Sequence, residues 1–432
     1  MRTVLIFSRF FPPRFDVGGK RAYRFAKYLG AHGWRSVVVT DRPAPGQIAD
    51  ESFSDDLGPH AVVVREYYPR RLRPRRNAGS DGTVAAPTHQ RTYPPEGWLE
   101  RLAWQASWPV SNDIWLGPRY WWLARRLARD HRADAILATS SPYSALVFGA
   151  IAQRATGLPL CLDLRDPWTE NFLHQRRPPW VRRAEARTEQ WVLGRAQRIT
   201  FTAEATLEAY RKKYPELGDD RMQCIYNSFD PEFRSSASWQ PGGPLRVLHF
   251  GNCYGARSLA TVLRAVSRLV SSGRLAASDL ELVNYGRVSA ADVSLAEELG
   301  LAEVLQARGV VPYAAGIEEL ARADLALLLA YGEETLFVPA KLFDYLLAGT
   351  PILCVAPDSE LTRLVEATNS GQCVLPHDDE AAAHVLDAAL EARRQGRRLI
   401  VPDSARVSRF AAPETAQQLA RLLDGMCDGE PT

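Results

Sequence analysis

Residues 337–353 read Phe337-Val338-Pro339-Ala340-Lys341-Leu342-Phe343-Asp344-Tyr345-Leu346-Leu347-Ala348-Gly349-Thr350-Pro351-Ile352-Leu353. Pro339 stands where proline opens a helix and Gly349 where glycine closes one, which predicts a helix over Ala340–Ala348. An apolar run, Leu325–Leu329, precedes it and another, Ile352–Val355, follows it. Short apolar strands alternating with helices imply a parallel sheet covered on both faces.

The alternation extends in both directions. Upstream it restarts at strand Leu245–Phe250, with helix Ser258–Ser271, strand Leu280–Tyr285 and helix Ala290–Leu299; downstream helix Ser359–Glu366 follows. The first half repeats the device. Its predicted strands are Val4–Ser8, Ser36–Thr40, Ala61–Val64, Ala135–Thr139, Leu158–Leu162 and Arg198–Thr202. Its predicted helices are Lys20–His32, Pro118–Asp130, Tyr143–Ala155, Val181–Arg195 and Glu204–Lys213. Asp230–Pro244 breaks the rhythm with Ser, Pro and Gly. The expected organisation is an α/β domain over 1–233, a linker over 234–244 and a second α/β domain over 245–410. A last helix, Pro413–Asp424 within 411–432, is expected to cross back towards the first domain. Both domains read as doubly wound and Rossmann-like, and 432 residues suit two cores better than one. Ligands of open α/β sheets sit at the C-terminal ends of strands, so the expected site is a cleft between the domains.

Composition removes several classes. The six cysteines show no CxxC and no Cys/His cluster, which fits reduced thiols and no zinc site. The N-terminal apolar run is only Thr3–Phe7, and no stretch approaches the roughly 20 apolar residues of a membrane span. A soluble, cytoplasmic protein is expected. A net charge of +3 gives no general attraction to nucleic acid. No GxxxxGK[ST] or G-x-S-x-G occurs.

Three loops carry candidate chemistry. Val17-Gly18-Gly19-Lys20-Arg21 opens a helix, exposing backbone N–H groups that suit a diphosphate or an anionic acceptor; a purely steric role for the glycines stands beside that reading. Gly251-Asn252-Cys253-Tyr254-Gly255-Ala256-Arg257 holds Arg257 at a strand end, where it can fork onto phosphate oxygens or simply be solvated. In the 337–353 block, the N–H groups near Ala340 and Lys341 would address a phosphate. Asp344, one turn further, could accept two hydrogen bonds from ribose hydroxyls.

These stretches, in this order, resemble the GT-B-fold retaining glycosyltransferases of family 4, particularly those of bacterial cell-surface polysaccharides. The resemblance also covers Phe10-Phe11-Pro12-Pro13, Ala138-Thr139-Ser140-Ser141-Pro142-Tyr143, Asp163-Leu164-Arg165-Asp166-Pro167-Trp168, Tyr226-Asn227-Ser228-Phe229-Asp230 and Gly309-Val310-Val311-Pro312-Tyr313. It implies transfer from a nucleotide-diphosphate sugar, of UDP or GDP type, with no metal or other cofactor. Arg257 and Lys341 would hold the diphosphate and stabilise its departing charge. Val311 to Tyr313 would face the base and Asp344 the ribose, while Gly18, Gly19, Gly251, Val338, Pro339 and Ala340 complete the donor side. Two departures stand out. Leu336 occupies the place of the family's first acid, eight residues before Asp344, with Glu333 and Glu334 out of register. No histidine stands at Ser140–Ser141.

On the acceptor side, Asp166 could orient a hydroxyl or take its proton, or cap a turn with Arg165 as ion partner. Arg21, Arg165 and Trp168 complete that set. The acceptor is expected to be a glycan or a lipid-linked glycan. Six of the eleven tryptophans fall between Trp98 and Trp122, most expected beneath helices; six arginines lie in Arg65–Arg76, and four surround Trp180 (176, 177, 182 and 183). Such a basic, aromatic rim suits an anionic membrane, at whose inner face the enzyme would dock; a solvated loop is the competing reading. A pseudo-glycosyltransferase, a nucleotide-sugar epimerase and a non-catalytic nucleotide-sugar-binding partner are the alternative functions.

Overall fold

The computed structural model describes residues 1–13, 17–42, 49–50, 52–53, 57–66, 110, 114–171, 174, 177–253, 257–330 and 336–429. The chain divides into two units, Met1–Tyr226 with Ala416–Thr432, and Asn227–Thr415.

The first unit runs β1 (Arg2–Phe7), α1 (Lys20–Tyr28), β2 (Trp34–Asp41), β3 (Ala61–Glu66), α2 (Gly117–His131) and β4 (Ala135–Thr139). It continues through α3 (Ser144–Thr156), β5 (Leu160–Leu164), α4 (Pro179–Leu193), β6 (Arg198–Phe201), α5 (Glu204–Lys213) and β7 (Met222–Cys224). The strands form one parallel sheet in the order β3-β2-β1-β4-β5-β6-β7. β1, β4 and β5 are buried along almost their whole length, as a sheet covered on both faces requires. Strand order reverses between β1 and β4, so the crevice of this sheet opens beyond Phe7 and Thr139.

The second unit runs β8 (Leu245–Phe250), α6 (Ala260–Ser271), β9 (Leu280–Tyr285), α7 (Ala290–Glu298), β10 (Leu305–Ala307), α8 (Tyr313–Arg322) and β11 (Leu325–Leu329). Then follow α9 (Lys341–Ala348), β12 (Ile352–Val355), α10 (Glu360–Ala367), β13 (Gly371–Val374), α11 (Asp379–Arg394), α12 (Ser404–Ser408) and α13 (Ala412–Asp428). Its sheet, again parallel, is ordered β10-β9-β8-β11-β12-β13, with the reversal between β8 and β11. Two doubly wound α/β units are what the alternating pattern predicts.

Boundaries differ in detail. The stretch expected to link the domains lies inside the second unit, which begins at Asn227. Phe229 pairs in parallel with Ala411, donating its N–H to Phe410 O at 3.0 Å and accepting from Ala412 N at 2.7 Å. The last helix does return: from Ala416 onward it groups with the first unit, where Asp424 accepts from Arg2 at 2.9 Å and from the Trp34 indole at 3.2 Å. β5 starts two residues later than expected because Pro159 has no N–H for a central ladder. Asp163 therefore lies within the strand rather than beyond it.

Candidate functional site

In the second unit, candidate functional side chains gather at the end of β8. His249, fully buried, is the penultimate residue of that strand. Its Nδ1 lies 2.8 Å from Leu327 O on neighbouring β11, and its Nε2 lies 3.2 Å from Lys341 Nζ at the start of α9. Burial first, then the Lys341 charge, hold the imidazole well below its ordinary range, and Arg257 pushes the same way. A neutral ring whose Nδ1–H donates to a carbonyl must offer its Nε2 lone pair, and the ammonium takes it.

Glycine makes this approach possible. A Cβ on Gly251 would stand 2.1 Å from Lys341 Nζ and 2.3 Å from Cε, so the lysine lies across the bare backbone. Tyr345 OH accepts from Phe250 N and donates to Leu327 O, both at 3.0 Å, which ties α9 to β8 and β11. The charges of Lys341 and Arg257 both bear on His249 and on the Cys253 thiol.

One turn into α9, Asp344 is nearly buried and accepts from Tyr313 OH at 2.6 Å. Tyr313 itself is buried at the start of α8, its ring edge-on to Phe233 at 5.1 Å. The residue expected to offer backbone to a nucleobase thus also supports the predicted ribose carboxylate. Val338 is buried beside this point, Pro339 and Ala340 are half-buried where the chain enters α9, and Val311 is half-buried. Tyr254, Gly255, Glu333 and Glu334 lie outside the described residues.

In the first unit Arg165 joins the ends of β4 and β5 to the turn that opens α1. Its backbone N–H donates to Ser140 Oγ at 3.1 Å, and its guanidinium donates to Ser140 O and Gly18 O. Asp166 accepts from Ser141 Oγ at 3.3 Å. Gly18, Arg165 and Asp166 therefore do share one strand-end cluster. Gly19 is required on steric grounds, because a Cβ there would stand 2.9 Å from Phe11 Cα.

Two acceptor-side expectations are corrected. Arg21 turns inward: its Nε lies 2.9 Å from Asp163, and its guanidinium also donates to Ile225 O and Tyr226 O at 2.9 and 2.7 Å. Asp163 is flanked by Thr139 and Thr200, its register partners on β4 and β6, whose hydroxyls donate to it at 2.7 and 2.8 Å. Trp168 is core, stacked on Tyr143 with 5.1 Å between ring centroids. Its backbone N–H donates to Tyr210 OH at 2.8 Å, and the next residue, Thr169, donates its backbone N–H to buried Glu189 at 3.1 Å. Both side chains are buried, Arg21 at 3% and Trp168 at 2% exposure, so neither lies on a surface that meets a sugar.

The outer surface of the first unit also departs from expectation. Of the tryptophans between 98 and 122, Trp115, Trp121 and Trp122 are exposed rather than packed; Trp98, Trp104 and Trp108 lie outside the described residues, as do Arg70 to Arg76 and Arg176. Arg65 is half-buried, donating to Pro12 O at 2.6 Å, and Arg177 pairs with Glu185 at 3.0 Å. On α4, Trp180, Arg183, Arg187 and Trp191 recur on one exposed face, while both acids, Glu185 and Glu189, point inward. On α2, Trp122, Arg125 and Arg129 share the exposed face opposite Tyr120, Leu123 and Leu127. Among the described residues no helix is long and apolar enough to cross a membrane.

Residues 76–233 match the sequence model of Glycosyltransferase Family 4. No curated protein sequence matches the chain. Solved structures share its fold. The sucrose-phosphate synthase of Thermosynechococcus elongatus superposes with a TM-score of 0.67 at 14% identity, over 100% of both chains. Anabaena HepE, in complex with UDP, superposes at 0.64 with 16% identity, over 98% of this chain and 100% of that one; HepE is also known in complex with UDP-glucose. A putative UDP-N-acetylglucosamine 2-epimerase from Listeria monocytogenes superposes at 0.55 with 11% identity, over 99% and 97%. The fold is GT-B, and with the family match over residues 76–233 the chain is a glycosyltransferase.

Proposed function

We propose that the enzyme moves a sugar from a nucleoside diphosphate sugar to a hydroxyl of a glycan or lipid-linked glycan, with retention of configuration and without a metal ion. The observation that carries this reading is the seating of Lys341 on His249 at the β8 end, where the Arg257 charge also acts. Two cations held there suit a diphosphate, and they stabilise the charge that grows on it as the glycosidic bond breaks. Asp344, braced by Tyr313, suits a ribose. The UDP and UDP-glucose complexes of HepE make UDP the first nucleotide to test. On the other unit, Asp166 orients the acceptor hydroxyl or receives its proton late in the transfer. Leu336, and the fold shared with an epimerase, support a second reading in which the nucleotide sugar is isomerised rather than transferred.

The test is a thermal-shift screen against UDP, GDP, ADP and TDP and their sugars, with and without EDTA, followed by product analysis. A shift with one nucleotide, indifferent to EDTA, names the donor and supports metal independence. A glycosylated acceptor carrying the donor's anomeric configuration supports retaining transfer; an isomerised donor supports the second reading. No shift with any nucleotide removes the donor site.

We also place the enzyme at the inner face of an anionic membrane. Exposed indoles beside arginines, with the acids of α4 turned inward, suit the lipid interface, where ring bodies sink and guanidinium groups meet headgroups. The intact chain should co-sediment with phosphatidylglycerol-containing vesicles at low salt, and Arg183→Glu/Arg187→Glu should abolish this. Absence of binding by the unaltered chain defeats the docking reading and leaves the donor reading untouched.

A further inference from the structure

We propose that His249 is a positioning residue: a neutral, buried hydrogen-bond acceptor that fixes the Lys341 ammonium where the donor diphosphate is held. The inference rests on the donor-site reading above and adds to it the device that aims the lysine.

The argument begins with the strand. β8 reads Leu245-Arg246-Val247-Leu248-His249-Phe250, and Val247, Leu248 and His249 are all deeply buried. Packing alone would be served there by leucine or valine, as in the rest of the sheet. A buried imidazole needs partners for both ring nitrogens. One is Leu327 O at 2.8 Å, on the strand across the topological reversal. The other is an ammonium at 3.2 Å. The backbone carbonyl sets the tautomer, the tautomer leaves Nε2 as an acceptor, and the acceptor faces a cation.

The neighbourhood keeps the ring in that state. Lys341 and Arg257 both disfavour an imidazolium, and Cys253 and Tyr345 beside them carry no charge at neutral pH, both being pushed up by burial. A lysine side chain is otherwise a flexible tether whose head is strongly hydrated. Here its stem lies across Gly251 and one ammonium proton is bound to His249, which holds the charge at the end of β8. Preorganisation of that kind strengthens binding by removing the freedom that the ligand would otherwise have to quench.

Side-chain reach gives a discriminating pair of variants. His249→Asn keeps a donor near the Nδ1 position, for Leu327 O, but has nothing at Nε2. His249→Gln places an acceptor near Nε2 for Lys341. Calorimetric titration of the folded proteins with UDP should show affinity falling about tenfold in His249→Asn, the order expected for one charge-assisted hydrogen bond, and largely restored in His249→Gln. In a Lys341→Met background, His249→Asn should have no further effect, because the group it positions has gone. Equal losses in Asn and Gln variants, or full additivity with Lys341→Met, overturn the proposal. If Lys341→Met alone leaves UDP affinity unchanged, the donor-site reading fails instead, whichever way the histidine variants behave.

Discussion

Arg21 and Asp163, 142 positions apart in sequence, form a buried ion pair in which two guanidinium nitrogens lie 2.9 Å from the carboxylate. Asp163 also accepts two threonine hydroxyls from the flanking strands, so the charge is bonded on every side that the sheet presents. Arg21, at the start of α1, thereby joins that helix to the centre of the sheet and to the chain at Ile225 and Tyr226.

Removing one partner from such a pair leaves an uncompensated buried charge. Arg21→Met should destabilise the first unit by about 3–5 kcal/mol, read by chemical denaturation, and Asp163→Asn should cost a comparable amount. The melting of UDP-bound and free protein should move together, because the pair is buried in the first unit and the proposed diphosphate and ribose residues lie in the second. A loss of UDP affinity without a loss of stability would return Arg21 to the binding surface.

Stability should fall with acid in two stages. His249 in the folded state lies well below its ordinary 6.5, so below about pH 6.5 the unfolded chain takes a proton that the folded chain refuses. Burial alone would raise Asp163, but the Arg21 charge and the hydrogen bonds from Arg21, Thr139 and Thr200 outweigh it and keep it below 3.8. Its contribution is complete above that value and is lost as pH drops through it towards the folded pKa. Each group contributes a slope of at most about 1.4 kcal/mol per pH unit. Urea unfolding from pH 7 to 3 should therefore show the first decline in the second unit, and His249→Asn should flatten it.

The two cations at the β8 end should matter for turnover more than for folding. Arg257→Ala and Lys341→Ala should each cut kcat by about 10²-fold or more, as expected when a preorganised charge partner of the leaving group is lost. Initial rates with saturating donor measure this directly. An unchanged rate removes that residue from the chemistry.

Asp344 and Tyr313 should act on donor binding. Asp344→Ala should raise the donor KM with little change in kcat, the signature of lost uniform binding. Tyr313→Phe, which removes only the hydroxyl that braces the carboxylate at 2.6 Å, should raise KM in the same direction and by less. A kcat effect exceeding the KM effect in either variant would assign the pair to the chemical step.

The order of strands and helices was legible from local pattern, because a strand buried on both faces must be apolar along its length and a helix must carry its own start and stop signals. Pro339 and Gly349 marked α9 within a residue of where it lies. β10 and β13 left no such mark: they are short, half-buried edge strands, and Gly371-Gln372-Cys373-Val374 reads as loop. The candidate donor-side residues stood out too, as polar interruptions of apolar runs. What no local pattern carried was the partner of each polar group. Arg21 and Trp168 read as cleft residues, and only the tertiary structure turned them inward, since Asp163 and Tyr143 reach them through a strand order that sequence does not state. His249 was visible as the one polar residue near the end of an apolar strand, but its meaning required the Leu327 carbonyl on one side and the Lys341 ammonium on the other. Sequence determines which residues are buried or exposed along each element, because that is a local periodicity. Which charges and hydrogen bonds meet is decided by register and crossover, which bring residues 78 and 92 positions away to the two sides of one ring.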